Sequence, residues 1–226
     1  SMDRLTTARD ALKQMATAFL FDAYESDYKL KFRSRGGDPV ADIPEDWIVR
    51  KGEEGIMKET ITQELEMPMR TTVNYYDVER DHQQHSQSAK RKVAPYPTMW
   101  TAKEDVVGLP ISWDADAAKQ CADKLLKMAW ANRTGYQFDL PWRYMKYDPT
   151  DVVTVSLENG FVYNMRLTDA DIGFDFSVSA QAVSESAAAY VSDATGASSS
   201  APSQTLDGDG SAFPIIINTP LLRDID

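Results

Sequence analysis

The chain has 226 residues, of which 42% are hydrophobic and 26% are charged, so it is typical of a globular protein rather than a disordered or collagen-like one. Its 24 Lys and Arg against 35 Asp and Glu give a net charge of -11, which argues against binding to nucleic acid through the phosphate backbone. The single cysteine excludes an intrachain disulfide, and no apolar stretch approaches the ~20 residues of a membrane-spanning helix. Ser1-Met2 is typical of a scar left by removal of an expression tag, and we expect the natural protein to extend further on one or both sides.

The first region, residues 3–67, predicts a subdomain made of a helix and a β-hairpin. Thr7 and Asp10 form a capping-box-like start, and apolar residues then recur at spacings of three and four. Two short strands, 21–24 and 29–33, follow around a polar turn. We expect helix and hairpin to bury one shared apolar face, to which the hairpin contributes Leu30 and Phe32.

The second region, residues 68–183, predicts more strands. A strand at 69–76 leads into a polar stretch, 79–92, that we expect to leave the sheet for the surface. A short strand at 109–113 then meets a helix capped by Asp114. The expected buried stripe of this helix consists of Ala118, Ala122, Leu125 and Ala129, and Cys121 on the same side is expected to be a core residue.

Strands are expected to follow in quick succession after this helix, at residues 136–140, 142–147, 151–157, 161–167 and 174–178. Asn159-Gly160 joins two of them and is typical of a type I′ hairpin turn. The predicted fold class is therefore α+β: the helix-plus-hairpin subdomain, followed by a small antiparallel β-barrel-like domain with one packed helix.

The third region, residues 184–226, is dominated at its start by Ser and Ala, which bury too little apolar surface to order themselves. It predicts a linker. Residues 213–222 turn apolar again and carry two prolines, so we expect an extended anchor that docks on a neighbouring surface.

The sequence predicts no catalytic, metal-binding or cofactor-binding residue. His82 and His85 have a helical zinc-ligand spacing but lack the partners of a known motif, and residues 207–210 resemble only the opening of a calcium loop. The acidic pairs are interpreted as structural, one at a helix start and one in a turn: Asp114 with Asp116, and Asp169 with Asp171.

Two further clusters favour structural interpretations. The basic cluster Lys90-Arg91-Lys92 is expected to lie in a solvated loop rather than to form a phosphate site. The aromatic residues of segment 142–147 alternate with Arg, Met and Lys, which favours packing in and around the core over a sugar-binding platform.

The segment from Asn74 to Gln83, NYYDVERDHQ, is similar to the "YxDxxRDYQ" strand and exit of the putative phage tail protein family, the central hub or tail-tip proteins of long-tailed phages and gene transfer agents. Further pieces resemble the family in the same order: Leu109-Pro110, the helix with Ala118 and Leu125-Leu126, Trp130-Ala131-Asn132-Arg133, residues 148–153 and residues 165–173, with the ends 7–12 and 219–224. The chain departs from the family at Thr150, where Gly is usual, so a positive φ is less expected there.

The resemblance implies a structural virion protein of the tail tip or baseplate, made in the host cytoplasm. Its implied role is a trimeric hub that caps the tail tube and links it to tip or receptor-binding parts during host attachment and DNA delivery. The implied partners are the distal tail or tube adaptor and the tip or fibre proteins. Two other classes stay open: a carbohydrate-binding module with exposed aromatic residues among Trp100, Trp113, Trp142 and Tyr147, and a tail-associated glycosidase or peptidase.

Ring contacts of a hub would need apolar surface outside the subunit core. Tyr96, Met99, Trp100 and Trp142 are the candidates that the sequence offers.

Overall fold

The computed structural model describes residues 7–26, 28–50, 55–91, 103–174 and 176–197. The expected anchor at 213–222, the acidic loop at 207–210 and the aromatic residues at 96–100 lie outside them. The described part is an α+β fold with these elements: α1 (Ala8–Phe19), β1 (Phe21–Ser26), β2 (Lys29–Ser34), β3 (Ala41–Pro44), β4 (Lys58–Ile61), β5 (Arg70–Asp77), β6 (Gln83–Lys90), β7 (Glu104–Trp113), α2 (Ala115–Ala131), β8 (Thr134–Leu140), β9 (Val152–Ser156), β10 (Val162–Ile172) and β11 (Val178–Ser184).

The first helix and hairpin form as the sequence predicts. The Thr7 hydroxyl accepts a hydrogen bond from the Asp10 backbone N–H and donates one to its carboxylate, which caps the start of α1. Leu20 adopts a left-handed conformation with φ 54°, which ends the helix and turns the chain into β1. Strands β1 and β2 pair antiparallel from Phe21 opposite Ser34 to Ser26 opposite Lys29.

A six-stranded sheet with the order β3-β9-β10-β11-β8-β4 forms the larger body. All its pairs are antiparallel except β3 with β9. Its inner face supplies the larger core, in which Ile43, Val153, Val155 and Met165 have no exposed surface. Strands β3 and β4 belong to the region 3–67, so this sheet crosses the boundary predicted at residue 67; the division into domains stays a prediction.

A three-stranded sheet with the order β6-β5-β7 is the smaller body, and α2 packs on one face of it. Strand β5 pairs antiparallel with β6 and parallel with β7. Ala118 and Ala122 are buried as expected, but the largest buried apolar residue of α2 is Leu126, whereas Leu125 is half-buried. Cys121 is buried, as predicted; burial raises the pKa of its thiol to about 11.

None of the three sheets that the structure describes closes into a barrel, and two strand pairs are parallel. The strands of region 68–183 are instead divided between two sheets. The reason is that β6 follows β5 through a tight turn and pairs with one edge of β5, and β7 then pairs in parallel with the other edge. Strands β5, β6 and β7 therefore complete a sheet of their own before α2 begins.

The expectation that residues 79–92 leave the sheet is wrong, because Gln83–Lys90 form strand β6. Asp81 and His82 both have positive φ, 52° and 59°, which closes a tight turn after β5. The strand is composed largely of Gln and Ser, and it is held by its backbone ladder to β5 and by α2 above it rather than by apolar side chains.

Three other local expectations also need correction. Residues 142–147 begin with a 3₁₀ turn, Trp142–Tyr144, because Pro141 has no N–H to continue the ladder. Phe174, Phe176 and Ser177 lie in the turn before β11 rather than in a strand. Only Gly160 of Asn159-Gly160 has a positive φ, 84°, and its N–H bonds the Leu157 carbonyl, so the turn between β9 and β10 is a three-residue loop rather than type I′.

The described part of the predicted linker, residues 184–197, continues the fold along α2. The Gly196 N–H donates to Asp116 at 2.7 Å, the Ser192 hydroxyl donates to Asp123 at 2.7 Å, and the Gln87 amide donates to the Ala197 carbonyl at 3.1 Å. A Cβ on Gly196 would lie 2.2 Å from the Ala115 carbonyl oxygen. Small residues therefore allow this segment to lie close to α2, and hydrogen bonds rather than buried apolar side chains hold it there.

Candidate assembly interface

The β1–β2 hairpin turns its polar face toward the body of the protein. The Ser26 hydroxyl donates to Asp148 at 2.8 Å, and the Lys31 ammonium pairs with the same carboxylate at 3.1 Å. Arg33 pairs with the buried Asp151. Burial alone would raise the pKa of Asp148, but the bonds from Ser26 and Lys31 outweigh burial and lower it. Lys31 and Arg33 of β2 thus anchor the hairpin.

The apolar face of the hairpin consequently points outward. Leu30 is 56% exposed and Phe32 is 54% exposed, with Ala23 opposite Phe32 and Tyr28 at the hairpin turn; the one charged residue on this face is the exposed Glu25 opposite Leu30. The rings of Phe21 and Phe32 meet edge to face with centroids 5.8 Å apart. The expectation that this face is buried is therefore wrong. We name the outward residues Ala23, Tyr28, Leu30 and Phe32 the hairpin face.

A network of buried and half-buried charges joins the hairpin to β10 of the six-stranded sheet and to Glu185, which directly follows β11. Asp22 of β1 accepts from Arg35 at 3.0 Å and from Arg166 of β10 at 3.2 Å. Arg166 also donates to Glu185 at 3.2 Å, and the side chains of both residues are more than nine-tenths buried. Burial alone would lower the pKa of Arg35, but Asp22 outweighs it and raises that pKa.

The loop after β2 packs against Tyr190, next to this network. Gly36 has φ 76°, and a Cβ at this position would lie 2.6 Å from the ring of Tyr190. Burial, with the nearby Glu185 carboxylate, raises the pKa of Tyr190. The loop and residues 185–190 are thus fitted to each other at a position that only glycine can occupy without strain.

A second apolar surface lies at one end of the six-stranded sheet. Trp142 follows β8 and is 69% exposed, while Phe174 and Phe176 stand in the turn before β11 and are fully or largely exposed. Because Leu140 pairs with Val178, these residues leave the same end of the sheet. Phe176 has φ 59°, an unusual conformation for an aromatic residue. We name Trp142, Ile172, Phe174 and Phe176 the sheet tip.

The two histidines considered as zinc ligands lie on different elements, not on one helix. His82 lies in the turn after β5, and His85 on β6 lies beside Tyr75 with ring centroids 5.9 Å apart. Among the described residues, no group of three or more His, Cys, Asp or Glu is placed to hold a metal ion.

The acidic pairs take local structural roles. Asp114 is the N-cap residue of α2 without a side-chain bond, and Asp116 accepts from Gly196. Asp169 and Asp171 lie on β10 rather than in a turn, at and beyond a break in the register with β11. In the basic cluster, the Arg91 guanidinium stacks on Trp130 at 3.4 Å.

Sequence reasoning missed the buried network of Asp22, Arg35, Arg166 and Glu185. One signal was available: Arg166 stands directly between the apolar residues Met165 and Leu167 of β10. A charge at such a position needs a buried partner, but the partners lie 144 and 19 residues away in sequence.

Comparison with known proteins places this geometry in context. The family model described as "Putative phage tail protein" matches residues 7–169. A chain of the virion of a native gene transfer agent particle is similar in fold, with a TM-score of 0.73 and 22% identity, covering 86% of this chain and 42% of that chain. The tail protein from Neisseria meningitidis MC58 has a TM-score of 0.53 and 14% identity, covering 82% of this chain and 56% of that chain.

At these identities the solved structures show a shared fold, and the chain spans about half the length of each. No curated protein sequence matches the chain. Neither helix within the described residues combines the length and apolar composition needed to cross a bilayer. Because the family model covers most of the chain, the protein belongs to the family of phage tail proteins described as "Putative phage tail protein".

Proposed function

We propose that this protein is a structural component of the phage tail tip or baseplate, a part of the central hub that caps the tail tube and connects it to tip or receptor-binding parts. The observation that carries the proposal is the hairpin face. A hairpin held by ion pairs on its inner side and largely apolar on its outer side, where Glu25 is the one charged residue, is suited to docking on another subunit.

The six-stranded sheet supports a barrel-like ring unit. In a flat sheet, β3 and the strand position outside β8 would be five strand spacings apart, about 24 Å. Yet the chain runs from Pro44 in β3 to Val49, which bridges Asp139 of β8 on that outer side, in five residues that reach about 17 Å at most. The sheet must therefore curl strongly, and its core is filled by side chains of its own strands.

Closed rings need two different complementary faces on each subunit. The hairpin is anchored near Arg166, and the sheet tip begins at Ile172, six residues further along β10 and so about 20 Å away. The hairpin face and the sheet tip can thus contact different neighbours. This arrangement supports a homotrimeric hub whose partners are the distal tail or tube adaptor and the tip or fibre proteins.

We extend the proposal to a non-enzymatic role in the virion, after synthesis in the host cytoplasm. Of the acidic residues considered for hydrolysis, Asp116 accepts a hydrogen bond from the Gly196 N–H and Asp169 accepts one from the Ala170 N–H. A cell-wall zymogram with the complete protein tests this part of the proposal, and a cleared band would contradict it.

Assembly tests the hub itself. The complete protein and the tube adaptor are mixed, and their stoichiometry is measured by multi-angle light scattering. We expect Phe32→Asp to abolish or strongly weaken assembly, because it puts a charge at the centre of an apolar contact. Val162→Asp is the matched control, since Val162 is 63% exposed on β10 but belongs to neither surface. Equal assembly of both variants, or a monomer that ignores the adaptor, would overturn the proposal.

A further inference from the structure

The outer face of the three-stranded sheet carries a shallow groove that the hub proposal does not use. Residues alternate along β5, so Thr71, Val73 and Tyr75 face the buried side, while Asn74 and Tyr76 face outward. Tyr76 pairs with Gln84 of β6, and Asn74 pairs with Gly108 of β7. These outward residues line a depression of about 260 Å³ together with Gln14, Tyr75, Leu109 and Pro110.

Two features of β7 open the groove. Its register with β5 shifts between Asn74 and Tyr76, where β7 contributes extra residues around Pro110. Gly108 has no side chain, and a Cβ built on it would meet no atom within 4 Å. The volume is a little below the ~300 Å³ at which pockets for drug-sized ligands begin, so it suits one ring of a ligand.

The chemistry of the lining is uniform. None of its eight residues is charged, although 26% of the chain is charged. Gln14, Asn74 and Gln84 form no side-chain hydrogen bond with any residue that the structure describes. Each amide offers donors and an acceptor side by side, and the ring of Tyr76, which pairs with Gln84 and is 39% exposed, offers an apolar surface.

We propose that this groove binds a neutral sugar ring of a surface glycan. A sugar presents hydroxyls that both donate and accept, which matches free amides, and its apolar ring face matches Tyr76. An anionic ligand would lack a cationic partner in the lining, and a purely apolar ligand would leave three amides unpaired. Sugar binding in this groove is separate from the hub role and does not depend on it. A single site of this size binds weakly, and several copies in one virion would add avidity.

Methyl glycosides of glucose, galactose, N-acetylglucosamine and rhamnose are titrated into the 226-residue chain, which is followed by amide ¹H–¹⁵N NMR. We expect saturable shifts confined to Asn74–Tyr76, Gln84 and Gly108 with at least one of these sugars. Glucose 6-phosphate should bind no better than the methyl glucoside.

Two variants keep the test falsifiable. Gly108→Val fills the open space on a strand position that favours β-branched residues, so it should preserve the fold and weaken binding at least about tenfold. Phe161→Ala removes an exposed aromatic residue elsewhere and should leave binding unchanged. The absence of shifts with all four sugars would overturn the proposal. So would equal binding by Gly108→Val, or shifts centred on Trp142.

Discussion

The two larger sheets of this protein bury their apolar faces in different ways. The six-stranded sheet buries its inner face against itself, with Val155 and Met165 at its centre. The three-stranded sheet needs α2 to cover one face, and it leaves the other face polar and open. The first sheet can therefore present its rims and its attached hairpin to partners, whereas the second can present a whole face.

The attachment of outer parts also differs between them. The hairpin is fixed to the six-stranded sheet by charges, among them Asp22, Arg166 and Glu185. Residues 191–197 are fixed to α2 by bonds to surface carboxylates, as at Asp116 and Asp123. Removing the partner of a buried charge costs more stability than removing the partner of an exposed charge. We therefore expect the hairpin to be the more firmly held of the two attachments.

The largest expected effect comes from a charge inside the self-enclosed core. Val155→Asp places a carboxylate where no solvent reaches and no basic partner is provided, so the chain should fail to fold. Val162→Asp, on the neighbouring strand β10 and 63% exposed, should fold normally. Circular dichroism and thermal melting compare them. A cooperative melt of Val155→Asp at the wild-type temperature would refute the assignment of this core.

The second effect concerns the helix-covered sheet. Leu126→Ala removes the main apolar side chain between α2 and the sheet and should lower the free energy of unfolding by about 2–5 kcal/mol. Leu125→Ala, the half-buried neighbour, should cost clearly less. Urea unfolding measures both. If the two losses are equal, or if Leu125 costs more, the buried side of α2 is assigned incorrectly.

The third effect is at the seam between the hairpin and residues 185–190. Gly36→Ala meets both a positive φ and the Tyr190 ring, so we expect a loss of about 1–3 kcal/mol. Gly37→Ala has open space and no unusual φ, so its stability should change little or rise slightly. Hydrogen exchange adds a local readout, since only Gly36→Ala should speed exchange in residues 185–190.

Local patterns were enough to predict much of this fold. The cap of α1, the β1–β2 pairing, and the start of α2 after Asp114 each depend on neighbours within a few residues. Strand β6 was missed because its Gln and Ser residues have no apolar alternation, and its order comes from pairing with β5.

Ion pairs between residues far apart in sequence determine which face of the hairpin points outward, and the local sequence pattern does not reveal them. The alternation in β2 gives one apolar and one basic face, and alone it favours burying Leu30 and Phe32. Asp148 and Asp151 reverse that choice, but they lie more than 110 residues away in sequence. The candidate interface was therefore predictable in composition and not in orientation, and Trp142 is the one ring-contact candidate among the described residues.

The smallest expected effect tests a strained turn of the six-stranded sheet. Thr150 has φ 83°, although the family resemblance, which has Gly here, gave reason to expect that Thr would avoid it. A β-branched residue in this conformation is an outlier, and its buried hydroxyl has no hydrogen-bond partner among the described residues. The turn persists because the Thr150 N–H bonds the Leu167 carbonyl at 2.7 Å and Asp151 is held by Arg33.

Thr150→Gly should relieve this strain and raise the free energy of unfolding by up to about 1 kcal/mol, since the left-handed penalty of about 1–2 kcal/mol is partly offset by the entropy that glycine loses on folding. Thr154→Gly on β9 removes the same side chain from an extended position and should destabilise instead. Urea unfolding of both variants decides the matter. A loss of stability in Thr150→Gly as large as that in Thr154→Gly would show that the turn is unstrained, and that the threonine contributes to this end of the six-stranded sheet as an ordinary packing residue.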